Sequence, residues 1–168
     1  MSPWIQEKKR ALAVIFAAFI LLALSPQSAT AKVTAKNENG SSISIPKRVY
    51  TKAANITVVG RNFDETAGIY LAFCVVPKKG ELPTPCGGGV NASGTGESSL
   101  WISSNPPPYG QGLATEFLPG GRFQEKVKIA PQIGKFDCRK VRCAITVRAD
   151  HIRGSDRSRD IFIPIIFR

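Results

Sequence analysis

The sequence predicts an all-β domain, and three observations carry that expectation. Beyond residue 43 no stretch holds a helical apolar period. All 15 glycines, and every one of the 12 prolines except Pro3 and Pro26, fall after residue 31, at intervals too short for helices. Between these breaks, short runs such as Ala144, Ile145, Thr146, Val147 and Arg148 alternate with a period of two, the signature of half-buried strands. Seven such runs can be drawn, the count of an immunoglobulin-like β-sandwich.

The chain opens differently. Lys8, Lys9 and Arg10 precede an apolar run over residues 11–24, which Ser25, Pro26, Gln27 and Ser28 break ahead of Ala29, Thr30 and Ala31. A basic start, an apolar middle and a small-residue end make residues 1–31 a signal peptide, cleaved after Ala31. The apolar run is shorter than the roughly 20 residues a spanning helix needs, so no stable transmembrane span is expected after cleavage. With no cysteine at the cleavage site, a lipid anchor is not expected. The polar stretch 32–42 reads as a flexible leader and 43–168 as a single domain.

The seven expected strands are 44–49 at an edge, then 55–61, 69–76, 99–103, 122–129, 142–148 and 160–167. Their inward faces are Ile56, Val58, Leu71, Phe73, Phe123, Val127, Ile145 and Val147, with Ile161, Ile163 and Ile165 on the last strand. Pro164 has no ladder donor, so that strand is expected to be an edge or to bulge there. Two long segments, 77–96 and 104–121, are rich in proline and glycine. Segments of this length are usually functional when ordered. Trp101, Tyr109 and Phe117, together with Asn105, are the candidate ligand-binding residues, and both loops are expected at one end of the sandwich.

Residues 1–31 hold three of the 23 basic residues and one of the 12 acidic ones, so the exported part is strongly basic. That balance favours an anionic cell-envelope component as a partner. Eight basic residues lie between Lys135 and Arg159, but without the aromatic interleaving of single-strand binders, so direct nucleic-acid binding is not expected. Asp150, Asp156 and Asp160 each stand near an arginine and are expected to form ion pairs on a solvated turn.

No catalytic residue is expected. His151 is the single histidine, Asp150 is its sequence neighbour, and Gly96, Glu97, Ser98, Ser99 and Leu100 lack the second glycine of a nucleophile elbow. No metal site is expected either, since the cysteine spacing and one histidine do not make a zinc set. No cofactor is expected. His151, Tyr50, Tyr70 and Tyr109 are the residues that could serve as an axial ligand to haem. All four cysteines, Cys74, Cys86, Cys138 and Cys143, lie in the exported part and imply two disulfides, for which three pairings exist.

Through residues 56–63, 68–74 with Cys86, Gly121, Arg122 and Phe123 through Ile129, and the run 136–143, in which four residues separate Cys138 from Cys143, the chain resembles the neocarzinostatin family of secreted actinobacterial apoproteins, seven-stranded immunoglobulin-like sandwiches that carry an enediyne chromophore. The resemblance implies pairing of Cys74 with Cys86 and of Cys138 with Cys143. It departs at residues 130–135, where the family has a long hairpin, and at 101–120, which is inserted. The expectation is a secreted or extracellular, envelope-associated binding module for a small apolar ligand or an anionic envelope component. A chromophore carrier is the alternative reading, and a haem-acquisition accessory protein a further one.

Overall fold

The computed structural model describes residues 31–88 and 95–168. The expected signal peptide, apart from Ala31, lies outside the described residues, as do residues 89–94 of the first long loop. Among the described residues no helix is long and apolar enough to cross a membrane.

Twelve strands are present among the described residues. The first six are β1 (Val33–Lys36), β2 (Ser42–Ile45), β3 (Val49–Tyr50), β4 (Ala54–Arg61), β5 (Ile69–Val75) and β6 (Thr95–Gly96). The rest are β7 (Ser99–Ile102), β8 (Phe123–Ile129), β9 (Gln132–Ile133), β10 (Phe136–Asp137), β11 (Cys143–Ala149) and β12 (Ile161–Phe167). One sheet has the order β1-β2-β4-β8, the other β3-β12-β11-β5-β7-β6, and β9 and β10 form a small ribbon. The seven expected strands are all represented, and the fold is a β-sandwich. β7 pairs with β5 and not with β8, so the fourth main strand sits on the opposite sheet from its place in a constant-type immunoglobulin domain.

Two expectations are corrected near the start. The run 44–49 is not one strand. Pro46, which cannot donate to a ladder, divides it and passes the chain from β2 on one sheet to β3 on the other, where β3 runs parallel to β12. The stretch 32–42 is not a flexible leader throughout. It supplies β1, which pairs with β2 through a turn at Asn39 and Gly40, a strong hairpin signal, and the side chain of Asn37 accepts the Ser41 amide at 3.0 Å. Val33 and Ala35 on β1 pack against the core.

The core itself follows the alternation. Ile56, Val58, Leu71, Phe73, Phe123, Val127, Ile145, Val147, Ile161, Ile163 and Ile165 are each 4% exposed or less. Burial of each large side chain contributes about 1.5–3 kcal/mol, which makes this inward row the main source of stability. Pro164 sits beyond the short reach of β3. Its carbonyl faces that open side and accepts from Arg48 Nε at 3.1 Å, so its missing N–H costs no ladder bond. Both disulfides pair as the resemblance implied, Cys74 with Cys86 and Cys138 with Cys143.

The sandwich has two unlike ends. At the disulfide end, Val75 meets Cys143, Cys143 meets Ile165, and Ala54 meets Ile129. At the other, the loop end, Ile69 meets both Ile102 and Ala149.

Candidate functional site

Alternation along β5 sends Ile69, Leu71 and Phe73 into the core and turns Tyr70 to the outer face of the larger sheet. The register sets Tyr70 between Arg148 on β11 and Trp101 on β7. The Arg148 guanidinium lies 4.7 Å from the centre of the Tyr70 ring, a cation–π contact, and the Trp101 ring lies 6.2 Å away, tilted by 42°. Burial pushes the Tyr70 phenol above its ordinary value. The Asp150 carboxylate adds to that rise and Arg148 opposes it. Burial also pulls the Arg148 guanidinium down.

Trp101 stands on the outward side of its strand yet is only 4% exposed, because the segment 104–121 folds over it. Thr115 N–H donates to the Trp101 carbonyl at 2.9 Å, and the 3₁₀ turn Pro108–Gly110 brings Gly110 onto the indole, where any Cβ would overlap the ring. The indole Nε1 donates to Oδ2 of Asp150 at 3.2 Å. Asp150 is fully buried. Its Oδ1 caps the turn His151–Arg153 by accepting from Ile152 N–H at 3.1 Å, and its own amide donates to the Gly68 carbonyl. Gly68 is required there, since a Cβ would run into the Asp150 carboxylate.

The capped turn places His151 between two tyrosines. Nδ1 is 2.7 Å from the Tyr70 hydroxyl and Nε2 is 2.8 Å from the Tyr109 hydroxyl, while the imidazole stands edge-on to Trp101 at 5.0 Å. A neutral imidazole accepts from one phenol and donates to the other, and an imidazolium donates to both, so both ring nitrogens are satisfied in either state. Tyr109 is 64% exposed and forms the outer surface of this cluster. At the same end opens a cavity of about 240 Å³ with Asp150 and Ser103 in its buried wall and Thr66, Asn105, Pro107, Ile152 and Arg153 around it.

Of the residues singled out from sequence, Trp101, Tyr109 and Asn105 come together at the loop end. Trp101 acts there as a buried support, not as a contact surface. Phe117 goes elsewhere. It is 6% exposed and lies in the core, stacked on Phe63 at 6.0 Å, because Ser104 Oγ and the Phe117 amide pin the loop base inward. The two long segments do not share an end. Antiparallel neighbours release their chains in opposite directions, so 77–96 leaves β5 at the disulfide end and 104–121 leaves β7 at the loop end.

Asp150 is a further correction, since its partners are Trp101 and a backbone amide and, among the described residues, no arginine pairs with it. The other aspartates behave as expected: Asp156 pairs with Arg159 at 3.1 Å and Asp160 with Arg157 at 3.1 Å, and Arg159 also reaches Asp64 at 3.2 Å. Sequence reasoning named Tyr70 and His151 only as possible haem ligands and did not place them with Trp101, Tyr109 and Asn105. For Tyr70 the signal was present, an aromatic at an outward position of a buried strand. Asp150 and His151 form no dyad, because the carboxylate bonds Trp101 and both imidazole nitrogens bond phenols, leaving no place for a serine. Among the described residues no group of three His, Cys, Asp or Glu side chains could hold a metal ion.

The fold and this cluster together define a disulfide-bridged β-sandwich that presents hydrogen-bonded aromatic side chains at one end. No protein-family model matches the chain, and no curated protein matches it. Among solved structures it is similar to macromomycin, with a TM-score of 0.49 and 11% identity over 77% of this chain and 100% of that one.

Proposed function

We propose that this chain is a secreted, non-enzymatic binding module that recognises a small molecule or a cell-envelope partner at the loop end of the sandwich. The observation that carries the reading is the bridge from Tyr70 through His151 to the exposed Tyr109, held over a buried Trp101–Asp150 support whose carboxylate also lines a cavity. A rigid, half-apolar phenol with fixed polar neighbours is the chemistry by which binding sites orient ligands. Secretion is inferred from the pattern of residues 1–31, and two disulfides suit an oxidising compartment.

The ligand class is an aromatic or otherwise flat, partly apolar molecule with a hydrogen-bonding group for the cavity, where Asn105 and Ser103 are available. The test is fluorescence of the Trp101 indole, which touches His151, titrated with fractions of the host's own growth medium. Wild type should respond to at least one fraction, and Tyr109→Ala should respond to none. An unchanged response in that variant would remove the site from the loop end.

Carriage of a chromophore, as in the neocarzinostatin family, is the second reading, favoured by the two local disulfides pairing as that resemblance implies. Haem acquisition is a further one, favoured by an exposed phenol whose hydroxyl is hydrogen-bonded to an imidazole, since such a bond orients a ligating group and raises its basicity. A haem absorbance titration of wild type and His151→Ala separates it from the others.

A further inference from the structure

The charge of the exported part is not spread evenly. At the loop end Arg148, Arg153, Arg157 and Arg159 share their surroundings with Asp64, Asp150, Asp156 and Asp160, and Arg157 and Arg159 are ion-paired. The disulfide end has no such balance. Lys47, Arg48 and Lys52 flank β3. Lys78 and Lys79 occupy the turn after β5, and Lys135, Arg139, Lys140 and Arg142 the turns between β9 and β11. Arg168 follows β12. All of these are exposed, and the acidic side chains at this end are Glu81, Asp137 and Glu97, the last paired with Lys128 beside Ile129. Among the described residues only Arg139 of this set has an acidic partner, Asp137 at 3.6 Å.

The same end also exposes aliphatic side chains. Val49 and Ile166, partners in the β3–β12 register, are 36% and 41% exposed, and Leu82 in the segment after β5 is 41% exposed. Its aromatic rings are withdrawn. Tyr50 and Phe167 are buried and Phe136 is half-buried.

We propose that the disulfide end is a docking face for an anionic lipid bilayer. Lysines and arginines set around exposed aliphatic groups match a membrane surface, where headgroup phosphates meet the cations and the upper acyl region meets the methyl groups. A soluble polyanion would engage the cations and leave Val49 and Ile166 unused, and a nucleic-acid single strand would want exposed rings for stacking. The face lies at the opposite end from Tyr109 and Asn105. A chain docked by it holds the loop-end cluster toward solvent, and its failure would leave the loop-end reading untouched.

The test is sedimentation of residues 32–168, which contain the whole core and both disulfides, with vesicles of phosphatidylglycerol and phosphatidylcholine and with pure phosphatidylcholine vesicles. Binding is expected to the first and not the second, and to be weakened in about 0.5 M salt. Replacing Lys47, Lys52, Lys135 and Lys140 by Ser should weaken it by about tenfold or more, since each such charge contributes near a membrane. The matched set Lys36→Ser, Arg61→Ser, Arg122→Ser and Arg153→Ser at the loop end should change it by less than about threefold, because those charges sit farther than a screening length from the bilayer. Val49→Ser with Ile166→Ser should weaken vesicle binding and leave binding to soluble polyphosphate unchanged. Circular dichroism confirms that each variant is folded. No binding to phosphatidylglycerol vesicles, equal losses in the two charge sets, or full vesicle binding by the Val49 and Ile166 variant would each overturn the proposal, the last by identifying a polymer as the occupant.

Discussion

The hydroxyl of Tyr70 lies 2.7 Å from Nδ1 of His151, and through that contact a residue on a core strand fixes a side chain on a surface turn. Because Nε2 of the same ring meets Tyr109 at 2.8 Å, the loop 104–121 is tied to the larger sheet through an imidazole.

Removing the imidazole should free the loop before it harms the fold. His151→Ala is expected to cost about 1 kcal/mol of stability in urea denaturation, the net worth of a hydrogen bond or so at an exposed site. It should also speed amide exchange over residues 108–113 while exchange in β4 and β11 stays as slow as in wild type. Unchanged exchange over the loop would mean that the proline-rich backbone holds Tyr109 without His151.

Gly68 faces the Asp150 carboxylate with no room for a methyl group. Gly68→Ala should therefore destabilise the protein by about 1–3 kcal/mol, the usual cost of overpacking. Because Asp150 is the acceptor for Trp101 Nε1, the variant should also shift the Trp101 emission as the indole loses its partner. A variant as stable as wild type with unshifted emission would contradict the packing described for this pair.

Asp160 gives a pH dependence of definite sign. Burial raises its carboxyl to about 6, against the opposing pull of Arg157 and Arg148, and its Oδ1 is buried with no hydrogen-bond partner. The native state thus holds this proton over a range where the unfolded chain, with a carboxyl near 3.8, has released it. Its contribution is fully present below about pH 4 and is lost as pH rises through about 6, a loss on the order of 2–3 kcal/mol. Denaturation midpoints of wild type and Asp160→Asn across that window should differ in slope, the variant being flatter. Parallel profiles would show that Asp160 does not titrate as described.

The short bridge is expected to matter through the unfolded chain. Cys138→Ala with Cys143→Ala should lower stability by about 2 kcal/mol by releasing a small closed loop, and the loop-end fluorescence should stay as in wild type, since the bridge lies at the other end. A changed emission of Trp101 would show that the two ends are coupled.

The core was legible because strands that bury one face repeat every two residues, and Ile145, Val147, Leu71 and Phe73 announce themselves in that way. The disulfide pairing was legible through the family resemblance and the four-residue gap between Cys138 and Cys143. Long-range partners were not. Nothing local separates Phe117, which enters the core against Phe63, from Tyr109, which stays outside. Asp150 looked like one more aspartate among arginines because its indole partner lies 49 residues away in sequence. β1 was hidden for a different reason: Val33–Lys36 has a single weak alternation, and only pairing with β2 makes it a strand.

The Tyr70–His151–Tyr109 end is proposed to hold a ligand. Native mass spectrometry of the protein recovered from its own host's medium tests it most directly, comparing wild type with Tyr109→Ala. A bound small molecule or envelope fragment is expected on wild type and is expected to be lost or strongly depleted in the variant. An equal load on both proteins, or a wild-type mass equal to that of the bare chain with its two disulfides, would contradict it.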